Sequence, residues 1–189
     1  MGRSVGADEL MGRSVGADEL KEPVIRRAEV ADAAAGAWCH LTCWREAYAG
    51  ILDPGRLAEK TSDVEQRTEN WAGALAGGVV RWIAVNQDPA ARVADQVIGF
   101  SAPGPCQDDD APTPLELYAI YVRKDWWGTG LGERLLDAAI GREAASLWVL
   151  EDNHRAQAFY RRHGFAPDGM RVDEPAFGVP EIRMVRRAQ

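Results

Sequence analysis

The sequence predicts a single mixed α/β domain, a central sheet flanked by helices. Three observations carry that prediction. The 189 residues are 46% hydrophobic and 27% charged, an ordinary globular balance for one domain. Apolar segments with strand and helix periodicity follow one another in the order β, α, α, then three strands, then α-β-α-β. No linker-like stretch divides the chain into two units. A chain of this length buries most of its apolar surface without disulfides or metal.

Charge narrows the function classes. Acidic residues outnumber basic ones by 29 to 22, for a net charge of -7. That balance argues against a nucleic-acid partner and against attachment to anionic membranes. No apolar run approaches the roughly 20 residues that span a bilayer. Three cysteines make no disulfide framework, which points to a reducing cytoplasm. Residues 1–10 and 11–20 both read MGRSVGADEL. The copies lack the apolar pattern of a structural repeat and the apolar region of a secretory signal. They read as a start-site, cloning or recent genomic duplication. Residues 1–21 are therefore expected to be disordered, and the folded domain is assigned to 22–189.

Val24 to Ala28 is expected to be a short strand. Asp32 is placed to cap a helix reaching Tyr48, because Ala37, Leu41, Trp44 and Tyr48 fall on one helical stripe. Gly50 ends it, and Asp53-Pro54-Gly55 reads as a turn. Ser62-Asp63-Val64-Glu65 fits a capping box opening a second helix, from Asp63 to about Leu75. Gly77-Gly78 closes that helix. Val79–Val85 and Val97–Ala102 read as an antiparallel strand pair. Pro103 to Pro114 reads as a loop whose Asp108, Asp109 and Asp110 are solvated. Leu115–Val122 is a strand, followed by a helix from Gly130 to about Ala145. Ser146–Leu150 is a strand, and Asn153–His163 is a helix with Gly164 at its C′ position. Ile182, Met184 and Arg186 alternate as in a final strand.

Two segments carry chemistry. The strand at Leu115–Val122 runs into Trp127-Gly128-Thr129-Gly130-Leu131-Gly132 and then directly into a helix. Glycines there let backbone amides converge, and the helix N-terminus adds about half a positive charge. The result is an anion site suited to phosphate or pyrophosphate. A turn that needs glycine only for tight packing is the competing reading. Neither a P-loop nor a dinucleotide fingerprint is present. In the second segment, LWVLEDNHRAQAFYRRHGF, Asn153 is placed to cap a helix. Ala156, Phe159, Tyr160 and His163 share one face of it, pointing at the sheet and the glycine turn.

Together these segments resemble the acyl-CoA-dependent N-acetyltransferases of the GNAT superfamily. The likeness is strong from Leu115 to Phe165 and weaker at Trp44–Leu52, WREAYAGIL. The glycine motif of that family falls on Trp127 to Gly132, with Trp127 where Gln or Arg is usual. The Asn-x-x-Ala-x-x-Phe-Tyr pattern is intact from Asn153. The resemblance implies a splayed sheet whose Leu115–Val122 and Ser146–Leu150 strands diverge. It implies acetyl-CoA as co-substrate, with pantetheine against the backbone of Ile120, Tyr121 and Val122. Pyrophosphate would sit on the amides of Trp127, Gly128, Thr129, Gly130, Leu131 and Gly132. Asn153 would touch the pantetheine arm, and Tyr160 would lie near the sulfur.

The implied reaction is direct attack of a primary amine on the thioester in a ternary complex. The acceptor would be a small molecule or a protein N-terminus. Tyr160 is the candidate acid for the departing thiolate and Glu116 the candidate base, acting through water. Glu116 alternates onto the strand face of Tyr118 and Ile120. Trp38, Trp44 and Tyr48 either line the acceptor pocket or pack in the core, and Tyr118 joins the acceptor set. Transfer of a longer acyl group and a non-catalytic acyl-CoA sensor are the rival readings. A homodimer is left open. No metal is expected: Cys39, His40 and Cys43 lack a fourth ligand, and packed cysteines account for them.

Overall fold

The structure is a computed structural model that describes residues 22–174 and 178–188; the expected disorder of residues 1–21 falls outside the described residues. Seven strands form one mixed sheet: β1 (Val24–Arg27), β2 (Trp82–Val85), β3 (Val97–Pro105), β4 (Leu115–Val122), β5 (Ala145–Leu150), β6 (Ala166–Glu174) and β7 (Val179–Arg186). Their order is β1-β2-β3-β4-β5-β7-β6. The helices are α1 (Ala33–Tyr48), α2 (Pro54–Lys60), α3 (Val64–Ala76), α4 (Val93–Gln96), α5 (Leu131–Ile140) and α6 (His154–Arg162).

Two faces of the sheet are covered. On one, Ala37, Cys39 and Cys43 of α1 and Trp71 of α3 pack on Ile83, Val97 and Phe100. Gly36 permits this closeness, because a Cβ there would lie 2.4 Å from the Trp71 ring. On the other, Leu136 and Ile140 of α5 and Tyr160 of α6 pack on Leu117, Leu147, Val149 and Met184.

The feature that positions the site is the junction of β4 and β5. This is the parallel pair, and it holds only at Leu115↔Ala145 and Glu116↔Ser146. Beyond Glu116 the strands diverge and leave the inner edge of β4 without a strand neighbour. A bulge in the β3–β4 ladder adds to the distortion: Ala102 faces Ala119 and Pro103 faces Leu117, so Tyr118 is the extra residue. The bulge shifts the alternation of β4. Ile120 packs with Leu131 and Leu135 of α5, while Ala119 and Tyr121 pack with the α1 side. Glu116 therefore does not share a face with Ile120, as unbroken alternation had implied.

Several boundaries differ from expectation for local reasons. Asp32 stands at the N-cap of α1, but its side chain bonds no amide of that helix. Its carboxylate accepts the Glu29 amide at 2.8 Å and pairs with Arg26, holding a 3₁₀ turn ahead of the helix. Asp53-Pro54-Gly55 opens α2 rather than making a free turn. Asp53 accepts the Arg56 amide at 2.9 Å, and Pro54 stands where a missing N–H costs nothing. The cap of α3 is Asp63, which accepts from Gln66 at 2.8 Å, while Ser62 instead donates to the Glu59 carbonyl. Strand β6 lacks an apolar rhythm because it is an exposed edge strand containing Pro167 and Gly169, with an irregular register. The Asp108–Asp110 loop is not simply solvated. Asp108 and Asp110 both accept from Arg183 of β7, and Asp108 also accepts from Trp148.

Candidate active site

The divergence of β4 from β5 opens a cleft of about 830 Å³. Its floor is the β4 backbone from Leu117 to Val122, and its far wall is Trp148, Val149 and Leu150. Trp127, Gly128, Gly130 and Gly132 close one end. The aromatic end, towards α1, carries Trp44, Tyr48 and Glu181, and Tyr118 lines the cleft near the paired base of β4.

The glycine turn is built as an N-terminal cradle. Gly128 and Gly130 hold φ of +79° and +84°, a left-handed backbone that side chains other than glycine resist. Gly130 is the N-cap of α5 and supplies no side chain to bond the first-turn amides. Those amides and the helix dipole are left for an anion. Nothing lies within 4 Å of a Cβ built at either Gly128 or Gly130, so conformation rather than crowding selects glycine. Leu131 is buried in the core beneath α5, so only its backbone can serve the cradle. The Thr129 hydroxyl donates to the Trp126 carbonyl and does not line the cleft.

Trp127 has a role of its own. Its indole N–H donates to the Val122 carbonyl at 2.7 Å, and the Arg155 guanidinium lies 3.6 Å over its ring. One lone pair of Val122 is thus already occupied. The free edge of β4 for an extended ligand centres on Ile120 and Tyr121. Arg155 lines the cleft, and desolvation depresses its pKa. Sequence reasoning missed Arg155. Its signal was its place two residues after the Asn153 cap.

Helix α6 brings Ala156, Phe159, Tyr160 and His163 to the cleft, as their spacing requires. The Asn153 side chain accepts the Ala156 amide at 3.1 Å and so fixes the start of that helix at the cleft wall. Tyr160 is 8% exposed, and its hydroxyl has no hydrogen-bond partner among the described residues. Burial, with Tyr48 nearby, drives its phenol well above the ordinary range. It is a neutral proton donor facing the cleft.

The aromatic end is continuous. The Tyr48 and Tyr121 hydroxyls are 2.6 Å apart. Desolvation pushes Tyr48 up to about 12, despite the relief its bond to Tyr121 provides. His40 also reaches the cleft. Its Nδ1 accepts the Trp71 indole N–H at 3.3 Å, and burial, then Arg67 and Arg81, lower its pKa to about 3. It remains neutral near pH 7. Trp44 and Tyr48 meet here edge to face, and Tyr118 lines the same cleft with its hydroxyl donating to the Pro105 carbonyl; Trp38 is not among the lining residues, being exposed on the outer side of α1.

Glu116 is not among the residues that line the cleft. Its carboxylate accepts the Gln107 amide at 3.1 Å, at the base of the β3–β4 loop. Burial raises its pKa, partly offset by that bond. The carboxylate the cleft does contain at the aromatic end is Glu181, on β7 opposite Leu150. Desolvation, then the charge of Glu174, raises it to about 7. Only strand order could have found it, because β7 reaches the cleft by lying beside β5. Among the described residues, no group of three or more His, Cys, Asp or Glu could hold a metal.

A model of the acetyltransferase (GNAT) domain matches residues 79–167. The chain is 32% identical over 149 residues to a probable N-acetyltransferase of Mycobacterium tuberculosis, covering 77% of this chain and 80% of that protein. This chain belongs to the GNAT acetyltransferase family. Solved structures share the GNAT fold. A GCN5-related N-acetyltransferase from Rhodopseudomonas palustris has a TM-score of 0.65 at 18% identity, covering 89% of this chain and 97% of that one. The yncA protein of Salmonella typhimurium, solved with its cofactor acetyl-CoA, has a TM-score of 0.62 at 20% identity, covering 88% and 94%. The split between β4 and β5, the glycine turn and Tyr160 all lie within or beside the GNAT-matched segment. No helix among the described residues is long and apolar enough to cross a membrane.

Proposed function

We propose that this protein transfers the acetyl group of acetyl-CoA to a primary amine by direct attack in a ternary complex. The observation that carries the reading is the placement of Tyr160, whose hydroxyl has no hydrogen-bond partner among the described residues and which lines the cleft beside the glycine turn. A solved neighbour with acetyl-CoA supports the choice of co-substrate.

The glycine turn and the α5 N-terminus hold the pyrophosphate. The pantetheine arm lies along the β4 edge at Ile120 and Tyr121, with Asn153 beside it. The amine enters through the part of the cleft lined by Trp44, Tyr48 and Tyr118. As the amine nitrogen bonds to the thioester carbon, the C–S bond breaks and the sulfur takes the phenolic proton of Tyr160. Burial that weakens Tyr160 as an acid also raises the basicity of a thiolate in the same surroundings, so the two remain matched. Backbone amides of β4 can receive the developing oxyanion.

The test is release of free thiol from acetyl-CoA with a panel of primary amines, for wild type and Tyr160→Phe. Turnover in the variant should fall by roughly 10- to 1000-fold, with little change in the KM for acetyl-CoA. Full turnover with chemistry rate-limiting removes Tyr160 as the acid. Tight acetyl-CoA binding with no turnover on any amine converts the reading to a binding module.

A further inference from the structure

A primary amine near pKa 10.4 reaches the cleft protonated at pH 7. Tyr160 donates a proton and cannot relieve it, and neutral His40, its Nδ1 engaged by Trp71, resists protonation. Among the described residues, two carboxylates line the cleft, Glu133 and Glu181. Glu133 sits in the first turn of α5, at the phosphate end. Glu181 lies on the α1 side of the sheet, opposite Leu150. Its neighbour two residues back, Val179, packs with Tyr48, Leu52 and Leu150, whereas Ile182 and Met184 pack on the α6 side. Glu181 therefore shares the strand face of the aromatic pocket, and its charge is felt by the Tyr48 phenol. No lysine or arginine forms an ion pair with it among the described residues.

We propose that Glu181 takes the proton from the incoming amine, and that the acceptor is an amine that is cationic in solution, received between this carboxylate and the rings of Trp44, Tyr48 and Trp148. This rests on the acetyl-transfer reading. Aromatic rings and one carboxylate suit an ammonium group before transfer and a neutral amide after it. The ammonium gives one proton to Glu181, and the freed lone pair forms the N–C bond. The C–S bond breaks and the sulfur is protonated from Tyr160. The nitrogen then sheds its second proton, which restores the Tyr160 phenol, and Glu181 returns the first to solvent. The sum is ammonium plus thioester giving amide, thiol and one proton.

The groups around Glu181 set its working range. Glu174 of β6 is the neighbouring like charge, and Tyr48 of α1, bonded to Tyr121 of β4, lies close with Arg155 of α6 beyond it. Arg171 of β6 is engaged by Glu151 and Asp173. A carboxyl held near 7 is a working base at neutral pH.

The experiment is the pH dependence of kcat/KM for an alkyl amine with acetyl-CoA in the full chain. Wild type should rise through a limb near pH 7 and level off before the pKa of the amine. Glu181→Gln should lose about 100- to 1000-fold at pH 7, lose the plateau, and climb with unit slope towards the pKa of the amine. Its acetyl-CoA affinity should stay within about twofold of wild type. Glu174→Gln removes the like charge and should move the wild-type limb to lower pH. A Glu181→Gln profile that keeps the limb overturns the proposal, as does loss of the limb in Glu116→Gln instead. If Glu181→Gln does not fold, a limb unmoved by Glu174→Gln overturns it. A wild type that releases no thiol with any amine removes the acetyl-transfer reading itself, a result distinct from an active wild type with an unaffected Glu181→Gln.

Discussion

Gly130 holds φ of +84° at the first turn of α5, with open space where a side chain would project. Gly130→Asp therefore separates binding from folding. Aspartate tolerates the left-handed region better than most residues, at a cost of about 1 kcal/mol. Its carboxylate would face the bound pyrophosphate. Affinity for CoA should fall below detection in calorimetry while circular dichroism stays native; unchanged affinity removes the phosphate cradle. The glycine turn and the place of Tyr160 at the cleft were legible in the sequence because both follow from local rules, a glycine turn before a helix and an i, i+3, i+4 face. Glu181 was not. Its place at the cleft depends on β7 lying beside β5, a long-range fact that no local pattern encodes. Glu116 was misplaced for a related reason. It stands on the strand that forms the cleft floor, yet its carboxylate is turned to the Gln107 amide at the paired base of the split.

Helix termini show how closely spaced polar residues compete for one job. Ser62 and Asp63 both stand where α3 could begin, and Asp63 holds the cap. Asp63→Ala should lower stability by about 1 kcal/mol. Ser62→Ala, which loses only an exposed bond to the Glu59 carbonyl, should stay within about 0.5 kcal/mol. Urea denaturation of both variants checks the pair, and the reverse order would move the cap to Ser62. Periodicity placed α1, α3, α6 and strands β3, β4 and β5 to within a few residues, because each buries an apolar stripe or run, whereas α5 stops at Ile140, five residues short of expectation, where Gly141 turns to φ of +47°. The short helix α2 was hidden by Pro-Gly, whose turn preference is the same signal as a proline at a helix start. Strand β6 was hidden by its exposure, since an edge strand with no buried face has no reason to alternate.

At the scale of the molecule, the sheet is two half-sheets joined at one end of β4 and β5. Arg183 fastens that end. It lies on β7, its side chain only 4% exposed, and it binds Asp108 and Asp110 from the β3–β4 loop and Asp168 from β6. Arg183→Met should cost about 3 kcal/mol, the low end for breaking a buried pair, because Asp110 keeps access to water. The arginine holds the Asp110 carboxyl below its ordinary value. A carboxyl depressed in the folded state contributes stability above its unfolded pKa, about 3.9, and loses it as pH falls through the depressed folded value. Wild type should therefore weaken more than Arg183→Met between pH 5 and about pH 2, measured as denaturation midpoints; parallel curves would show that the cluster carries no such linkage. The split that Arg183 anchors has another side to it. A strand flank with open donors and acceptors at the rim of a sheet is a template for stray chains, and outer strands commonly blunt it with charge or proline. Here β1 carries Arg26 and Arg27, and β6 carries Pro167, Asp168, Arg171 and Asp173. The flank of β4 has no such guard, with Ile120, Tyr121 and Val122 in sequence. It is guarded by depth: walled by α1, α5 and α6, it can be reached by a thin, extended molecule and not by another sheet. The recess that leaves room for a slender molecule also denies this strand edge to a second sheet.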